Sequence, residues 1–338
     1  MKKCLALLTA LVAVSAMLFA QGGSESPKPA TSSGAPAETN KLVVYATCSE
    51  SEAQKITDAF IKKYPGMQIT IIQAGSGDMV TRVKTEWPKP EGDVVLLLAK
   101  ENLDSIYNNL APYKSANHDD FAPEFRDPAE TPRYYATSLP LQAIMYNTRM
   151  LTPEQAPKSW KDLADPKFKG EIVLGNPASS GSSYAQLYMM HKLYGMDFVK
   201  QVASNATYVA SSTAGPDSVA RGEYAITVTG EKNIGDRIAQ GDPVAYVLPE
   251  EGTGLRTEGS AILENCRNLA SARHFIDFIT SEEGMTVVRD QCFRRPALTT
   301  IAGPANLPSL KDMKFFDYDA KEAAASKKQL VSEFQGLL

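Results

Sequence analysis

Apolar runs and helical patterns alternate along the first third of the chain. Residues 42–47, 67–73 and 93–98 are predicted strands, and the continuous aliphatic run of the third is typical of a parallel strand that is covered on both faces. Between these runs, residues 50–64 and 78–87 place apolar side chains every three or four positions, which predicts amphipathic helices. Strand, helix, strand, helix, strand in this order predicts a sheet of parallel strands with helices on both sides.

A second series of the same kind begins after residue 170. Its predicted strands lie at 171–174, 206–211, 224–229 and 244–248. Its predicted helices lie at 184–194, 216–221 and 233–240. The second series therefore predicts a second α/β sheet.

Two extended segments, separated at Pro140, connect the two series, and helical elements are expected to cover the fold from Gly259 onward. The chain is longer than one α/β core usually needs, so two lobes are predicted. We expect the first lobe to contain 41–140 and 259–338, and the second to contain 141–258. The predicted fold class is α/β, with two doubly wound lobes joined by extended crossover strands.

The amino terminus has the pattern of a secretory signal peptide. Lys2 and Lys3 precede a short apolar segment, and small residues follow it, so residues 1–20 are predicted to be cleaved after Ala20. Residues 21–40 are rich in Ser, Pro, Ala and Gly, which predicts a disordered tether. We therefore expect the folded protein in the periplasm, where it would meet the membrane only through a partner.

Charge and cysteine content narrow the class of protein further. The formal net charge is −4, and no basic stripe is present, so nucleic acid is not an expected partner. Three cysteines follow the predicted signal: Cys48, Cys266 and Cys292. In an oxidising compartment Cys266 and Cys292 either form a disulfide or remain buried thiols, and the sequence leaves both alternatives open.

Motifs of known catalytic sites are missing from the sequence. The three histidines, His118, His191 and His274, have no ligand or triad partner at motif spacing. The sequence also lacks a nucleophile elbow, a P-loop and a dinucleotide-binding glycine motif after the first strand. We therefore expect no enzymatic activity, no cofactor and no metal; a periplasmic phosphatase is the alternative from another class.

The turns that follow the predicted strands are rich in serine and glycine. Residues 176–183, Asn-Pro-Ala-Ser-Ser-Gly-Ser-Ser, connect an apolar strand to a helix. Free backbone N–H groups, the helix dipole and serine hydroxyls at such a turn would hold an anion, although an ordinary helix cap has the same composition. In doubly wound sheets, turns of this kind gather beside the ligand. The candidate ligand-binding residues are Ser49, Ser76, Gly77, Asn176, Ser179, Ser180, Gly181, Ser182, Thr213, Gly215 and Glu231.

These candidates divide into two predicted roles. Donors from both lobes are expected to grip the anion, with Glu231 and Ser49 setting the specificity for the rest of the ligand. The expected anion-gripping residues are Ser76, Gly77, Ser179, Ser180, Ser182 and Thr213.

The motifs of the chain, in their order, resemble those of a family of transport proteins. The matching segments include 92–95 (Gly-Asp-Val-Val), 145–148 (Met-Tyr-Asn-Thr), 159–163 (Ser-Trp-Lys-Asp-Leu), 176–181, 221–226 (Arg-Gly-Glu-Tyr-Ala-Ile) and 295–296 (Arg-Pro). From Leu42 to Pro296 the chain resembles the periplasmic substrate-binding proteins of ABC transporters. Within them it is similar to the group that binds ferric ion, thiamine, hexose phosphate or aminoethylphosphonate. The resemblance implies a monomer whose lobes close on a small solute and deliver it to a permease with its ATPase.

The resemblance leaves the solute to be decided by individual residues. Ferric-binding members hold the metal with adjacent tyrosines after the strand that matches 224–229, where this chain reads Thr-Gly-Glu-Lys-Asn. Thiamine-binding members stack the ligand on aromatic side chains, which the candidate turns nearly lack. The hydroxyl-rich turns therefore favour a phosphate ester or a phosphonate, with ferric iron and thiamine as the alternatives.

Overall fold

The computed structural model describes residues 40–211, 213–305 and 307–338. The signal peptide predicted at 1–20 lies outside the described residues, as does the tether predicted at 21–40 apart from Asn40. Within the described ranges, no helix combines the length and the apolar composition that crossing a membrane requires.

Twelve strands lie within the described residues. They are β1 (Lys41–Ala46), β2 (Gln68–Gln73), β3 (Val94–Ala99), β4 (Tyr135–Ser138), β5 (Gln142–Asn147), β6 (Ile172–Gly175), β7 (Ala206–Val209), β8 (Ile226–Gly230), β9 (Val244–Val247), β10 (Thr253–Gly254), β11 (Glu258–Ile262) and β12 (Phe315–Phe316).

Nine α-helices lie within the same residues, and short 3₁₀ turns connect some of the elements. They are α1 (Glu50–Lys63), α2 (Ser76–Glu86), α3 (Lys100–Ser105), α4 (Gly181–Asn205), α5 (Ala214–Arg221), α6 (Glu231–Ala239), α7 (Leu269–Ile279), α8 (Glu282–Cys292) and α9 (Ala320–Gln335).

The two large sheets each form the centre of one lobe, as predicted. The first has the strand order β2-β1-β3-β11-β4, and the second has the order β7-β6-β8-β5-β9. In the first, β1 lies parallel to β2 and β3; in the second, β6 lies parallel to β7 and β8. Parallel strands point their carboxyl ends toward the same edge of the sheet, so the helices that follow them begin at that edge.

Each sheet also contains antiparallel strands that the alternating pattern does not predict. In the first lobe, β11 lies antiparallel between β3 and β4, although the sequence predicts only covering elements from Gly259. In the second lobe, β5 lies antiparallel between β8 and β9. Residues 139–141 connect β4 to β5 and so cross between the lobes. The chain crosses back between β9 and β11, and β10 on this path forms a separate two-stranded sheet with β12.

The carboxyl-terminal helix packs differently from the prediction. The sequence division assigns 259–338 to the first lobe, but α9 places Ala323, Leu330 and Phe334 in the hydrophobic core of the second lobe. The Tyr184 hydroxyl donates a hydrogen bond to the Ala323 carbonyl and fixes α9 against α4. Since α9 also contacts α3 of the first lobe, this helix touches both lobes.

Candidate ligand-binding cleft

Five helices begin at one cleft between the two lobes. The cleft has a volume of about 350 Å³, and the residue that caps the amino end of each of these helices lines it. The cap residues of α1, α2, α4, α5 and α6 are Ser49, Gly75, Ser180, Thr213 and Gly230. Backbone N–H groups and the positive ends of helix dipoles therefore converge on this cleft from both lobes.

The cap residues differ in whether their side chains hydrogen-bond to the backbone amides in the first turn of the helix. The Ser49 hydroxyl donates to Glu52 Oε2 at 2.7 Å and accepts from the Glu52 amide, and the Ser180 hydroxyl accepts from the Ser183 amide at 3.2 Å. By contrast, Gly75 and Gly230 supply no side-chain hydrogen bond to α2 and α6. No cap side chain therefore occupies the amide donors in the first turns of α2 and α6, although the Glu231 amide, the first of α6, donates to the Leu141 carbonyl at 3.0 Å.

The serines beside α4 hold the turn in place as well as line the cleft. The Ser179 hydroxyl donates to the Ala210 carbonyl at 2.5 Å, which ties the turn after β6 to the turn after β7. The Ser182 hydroxyl donates to Gln142 Oε1 at 3.2 Å. Their oxygens are thus positioned by protein contacts at the wall of the cleft, where a hydroxyl can also turn toward a ligand.

Basic and acidic side chains that line the cleft form close pairs. Arg294 donates to Glu52 Oε1 at 2.6 Å and to Glu258 Oε2 at 2.5 Å. Arg295 holds Glu231 with two hydrogen bonds, one of them from Nη2 at 3.1 Å. Each of these three carboxylates therefore has a basic partner, with Arg294 shared between Glu52 and Glu258 and Lys232 as a second partner of Glu52.

The protein shifts the pKa values of the buried carboxyl groups of Glu52 and Glu231 in opposite directions. Burial alone would raise the pKa of Glu52, but Arg294 and Lys232 outweigh it and lower the pKa to about 2. Burial raises the pKa of Glu231, and Arg295 offsets only part of that effect. Glu52 therefore stays ionised over a wider range of pH than an ordinary glutamate.

The lobes touch each other across the cleft. The buried Arg295–Glu231 pair joins the loop after α8 to the start of α6, and Lys232 Nζ lies 3.4 Å from Glu52 Oε2. At another contact between the lobes, a Cβ atom placed on Gly181 would lie 3.7 Å from the Ser76 hydroxyl oxygen. The start of α2 in one lobe thus faces the start of α4 in the other.

Eight of the eleven candidate residues line this cleft. They are Ser49, Ser76, Ser179, Ser180, Gly181, Ser182, Thr213 and Glu231. The remaining three are Gly77, Asn176 and Gly215, and they do not line it.

Two of these three residues have evident structural roles. The Asn176 side chain accepts from the Ala178 amide at 2.8 Å and shapes the turn before α4. A Cβ atom on Gly215 would lie 2.8 Å from Thr227 Oγ1, so glycine permits close packing of α5 on β8. The third, Gly77, lies one residue inside α2.

The structure also bears on the expectations for Glu231 and for the cysteines. Glu231 is expected to help set the specificity for the ligand, and in the structure both of its carboxylate oxygens accept hydrogen bonds from Arg295. Cys48, Cys266 and Cys292 are all free thiols, so of the two alternatives for Cys266 and Cys292 the structure has the thiols and not the disulfide. Cys48 and Cys292 lie in the core of the first lobe, where Cys266 packs at its side.

The basic side chains of the cleft are absent from the sequence-based candidates. Lys232, Arg256, Arg294 and Arg295 all line it, and none of them lies in a serine- or glycine-rich turn. The signal that could have found two of them is the motif Arg295-Pro296, which is one of the segments that resemble the transport family, with Arg294 directly before it.

The three glutamates that line this cleft are all engaged by arginines and are not free to bind a hard metal ion. Its lining, as far as the structure describes it, contains no tyrosine. In the described part of the chain, no cluster of three or more His, Cys, Asp or Glu side chains is arranged to hold a metal ion.

Comparison with known protein families identifies the class of protein to which this fold and cleft belong. Residues 106–323 match the family model of the bacterial extracellular solute-binding proteins, and the chain belongs to this family. The family supplies the substrate-binding components of ABC importers, which work with a permease and an ATPase. The expected fold and family are therefore confirmed.

Individual relatives cover nearly the whole chain. An uncharacterized protein of Haemophilus influenzae is 30% identical over 312 residues, which are 88% of this chain and 90% of that protein. The Fe(3+)-binding periplasmic protein of Serratia marcescens is 24% identical over 88% of this chain and 90% of its own. The solved structure of AfuA from Actinobacillus pleuropneumoniae, with fructose-6-phosphate bound, has a TM-score of 0.80 and 28% identity over 88% of this chain and 98% of that chain. The two relatives with a printed function are thus periplasmic binding proteins, one for ferric iron and one solved with fructose-6-phosphate bound.

Proposed function

We propose that this protein captures a small organic phosphate ester, such as a sugar phosphate, or a phosphonate, in the cleft between its lobes. The observation that carries the proposal is the convergence of five helix amino termini on that cleft. Amide donors at helix amino termini suit a phosphate because they supply hydrogen bonds and positive potential together. After export by the predicted signal peptide, the protein would deliver the solute as a monomer to its permease and ATPase.

The side chains of the cleft favour an anion over ferric iron or thiamine. Ferric iron prefers several anionic oxygen ligands, but Glu52 and Glu258 share Arg294, and Glu231 is paired with Arg295. Thiamine is a cationic aromatic ligand, and Phe293 is the single aromatic side chain among the described lining residues. Hydroxyl groups and amides, by contrast, are the usual partners of phosphate oxygens.

The relatives agree with this proposal at the level of the family. AfuA, which is 28% identical, holds fructose-6-phosphate in its solved structure. The ferric-binding relatives are more distant in sequence, and iron remains the alternative solute on their account.

Ligand capture would be coupled to closure because the donors come from both lobes. The first turn of α2 belongs to the first lobe, and the first turns of α4 and α6 belong to the second. A phosphate that bridges these turns interacts more strongly with the closed form than with an open one. Such a difference in affinity is what shifts a conformational equilibrium toward closure.

The proposal is tested by thermal unfolding of the mature chain with a panel of solutes. The panel contains fructose 6-phosphate, 2-aminoethylphosphonate, inorganic phosphate, ferric citrate and thiamine. We expect a phosphate ester or phosphonate to stabilise the fold, by about 2.7 kcal/mol at a hundredfold excess over Kd. Stabilisation by ferric citrate or thiamine alone would overturn the proposal. Release of inorganic phosphate over many turnovers, followed by ³¹P NMR, would favour the phosphatase alternative instead.

A further inference from the structure

Gln142 is the first residue of β5, and it lies where the second lobe gathers its helix amino termini. In the register of the sheet it pairs with Gly230, which caps α6. Its side chain reaches the first turn of α4, where Oε1 accepts a hydrogen bond from the Ser182 hydroxyl. Gln142 lines the cleft, although the residue is only 1% exposed. The side chain is thus held beside two of the helix termini that would bind the phosphoryl group.

The hydrogen bonds of a neighbouring glutamine determine which way the Gln142 carboxamide faces. Nε2 of Gln186 donates to the Val228 carbonyl at 3.1 Å and to Gln142 Oε1 at 2.8 Å. A backbone carbonyl only accepts hydrogen bonds, so the Gln186 atom beside it must be the NH₂ group. The Gln142 atom that faces this NH₂ group must in turn be the oxygen. The network therefore fixes the NH₂ group of Gln142 on the side away from Gln186 and Ser182.

That NH₂ group has no acceptor among the described residues, because the hydrogen bonds of the Gln142 side chain all go to Oε1. Some polar atoms of the described chain lack a partner and are also enclosed by protein, such as Gln186 Oε1, but Gln142 Nε2 is not one of them. Nε2 therefore keeps part of the small accessible surface of its residue, and an oxygen the size of water can approach it to hydrogen-bond distance. Since Gln142 lines the cleft, a solute in the cleft can supply that oxygen.

We propose that the Gln142 carboxamide donates from Nε2 to an oxygen of the phosphoryl group of the solute. This inference rests on the proposed function, in which helix amino termini hold that group. A hydrogen bond to a charged oxygen is stronger than one between neutral groups. Because Ser182 and Gln186 already fix the carboxamide, little side-chain freedom is lost when the solute binds. Gln142 is thus a ligand-binding residue outside the serine- and glycine-rich turns.

Gln142→Glu tests the donor with almost no change of shape. The glutamate keeps one oxygen for the hydrogen bonds from Ser182 and Gln186, and its second oxygen replaces the NH₂ group. We expect the affinity for fructose 6-phosphate at neutral pH to fall at least a hundredfold, because a donor is lost and a negative charge faces the phosphoryl group. Titration calorimetry measures the loss. An affinity within threefold of wild type would overturn the role of Gln142 and leave the proposed function intact.

Gln142→Met tests whether the phosphoryl group is the part of the solute that Gln142 contacts. Methionine has a similar length and removes the donor without adding a charge. We expect the affinity for fructose 6-phosphate to fall about tenfold and the ³¹P chemical shift of the bound ester to differ from its wild-type value. A weaker affinity with an unchanged ³¹P shift would place the contact elsewhere on the solute, and the proposal would be wrong. If Gln142→Glu does not fold, this variant decides by the same two measurements.

Gln155→Glu is the matched control for the added charge. Oε1 of Gln155 also accepts a hydrogen bond from the protein, at 2.9 Å from the Thr152 amide, but the residue does not line the cleft. We expect its affinity for fructose 6-phosphate to remain within twofold of wild type. Equal losses in Gln155→Glu and Gln142→Glu would show that net charge rather than the Nε2 donor governs the affinity, and would overturn the proposal.

The wild-type protein separates a failure of this inference from a failure of the proposed function. If it binds 2-aminoethylphosphonate and not fructose 6-phosphate, the phosphonate becomes the probe for all three variants, with the same expected losses. If it binds no phosphate ester and no phosphonate, the proposed function and the role of Gln142 are both overturned.

Discussion

At the amino end of α4, single serine hydroxyls serve two purposes at once. Ser180 caps the helix while lining the cleft, and Ser179 ties two turns together at the same wall. In the variant Ser179→Ala/Ser180→Ala, we expect the affinity for fructose 6-phosphate to fall 10- to 100-fold, since a hydrogen bond to a charged group contributes about 1.5–3 kcal/mol. The stability of the fold should fall by about 1 kcal/mol through the lost cap. Titration calorimetry and urea unfolding measure the two effects separately.

Ser281 offers a matched control for the loss of a cap. Its hydroxyl accepts from the Gly284 amide at 3.2 Å and caps α8, and the residue does not line the cleft. Ser281→Ala should therefore lose a similar amount of stability and keep wild-type affinity. If the double variant also kept wild-type affinity, the serines of α4 would be a helix cap and nothing more.

The carboxyl group of Glu52 makes part of the stability depend on pH. Its pKa is lowered from 4.5 to about 2 in the folded protein, despite burial, by Arg294 and Lys232. Because the folded pKa lies below the unfolded one, the stabilisation is fully present above pH 4.5 and is lost as the pH falls toward 2. The loss should be on the order of 3 kcal/mol. Urea unfolding at several pH values measures it.

Two glutamine variants separate this effect from other carboxyl groups. Glu52→Gln should flatten the decline in stability between pH 4.5 and pH 2. Glu50→Gln replaces an exposed carboxylate in the same first turn of α1 and should reproduce the wild-type decline. An unchanged decline in Glu52→Gln would contradict the assignment of the effect to Glu52.

Among the elements, those with a strong local signal could be predicted from the sequence. All six residues of β3 are buried, and its unbroken aliphatic run already indicates a central strand. By contrast, β11 has the sequence Glu-Gly-Ser-Ala-Ile, which has little strand propensity. It becomes a strand because β3 and β4 offer hydrogen-bonding edges on both sides, a cause that lies far away in the sequence.

The same distinction explains which parts of the candidate site could be predicted. Serine- and glycine-rich turns after parallel strands meet at one edge of a sheet, so their local sequence indicates a place near the cleft. Arg256 and Arg294 arrive from a crossing segment and from the loop after α8, which follow no strand-to-helix pattern. Their position depends on the packing of distant elements, and a single sequence does not reveal it. The location of α9 on the second lobe has the same origin.

For the molecule as a whole, binding depends on how closely the lobes approach each other. The start of α2 meets the start of α4 at Ser76 and Gly181, and the Arg295–Glu231 pair forms a separate contact between the lobes. In Ser76→Phe, the aromatic ring would need the space that α4 occupies. We expect the lobes to remain apart and the affinity for fructose 6-phosphate to fall at least tenfold. Small-angle scattering should show a radius of gyration above the wild-type value, with and without the ester.

Ser76→Ala separates the bulk of the phenylalanine ring from the loss of the serine hydroxyl. It removes the donor without adding volume, so it should bind more weakly than wild type but retain the wild-type radius of gyration. Identical scattering from the two variants would show that the contact at Gly181 does not limit closure. A ligand shifts an equilibrium only by the difference between its affinities for the two states. A protein whose lobes cannot meet therefore loses the contacts from one lobe, and its affinity reports the contribution of the other lobe alone.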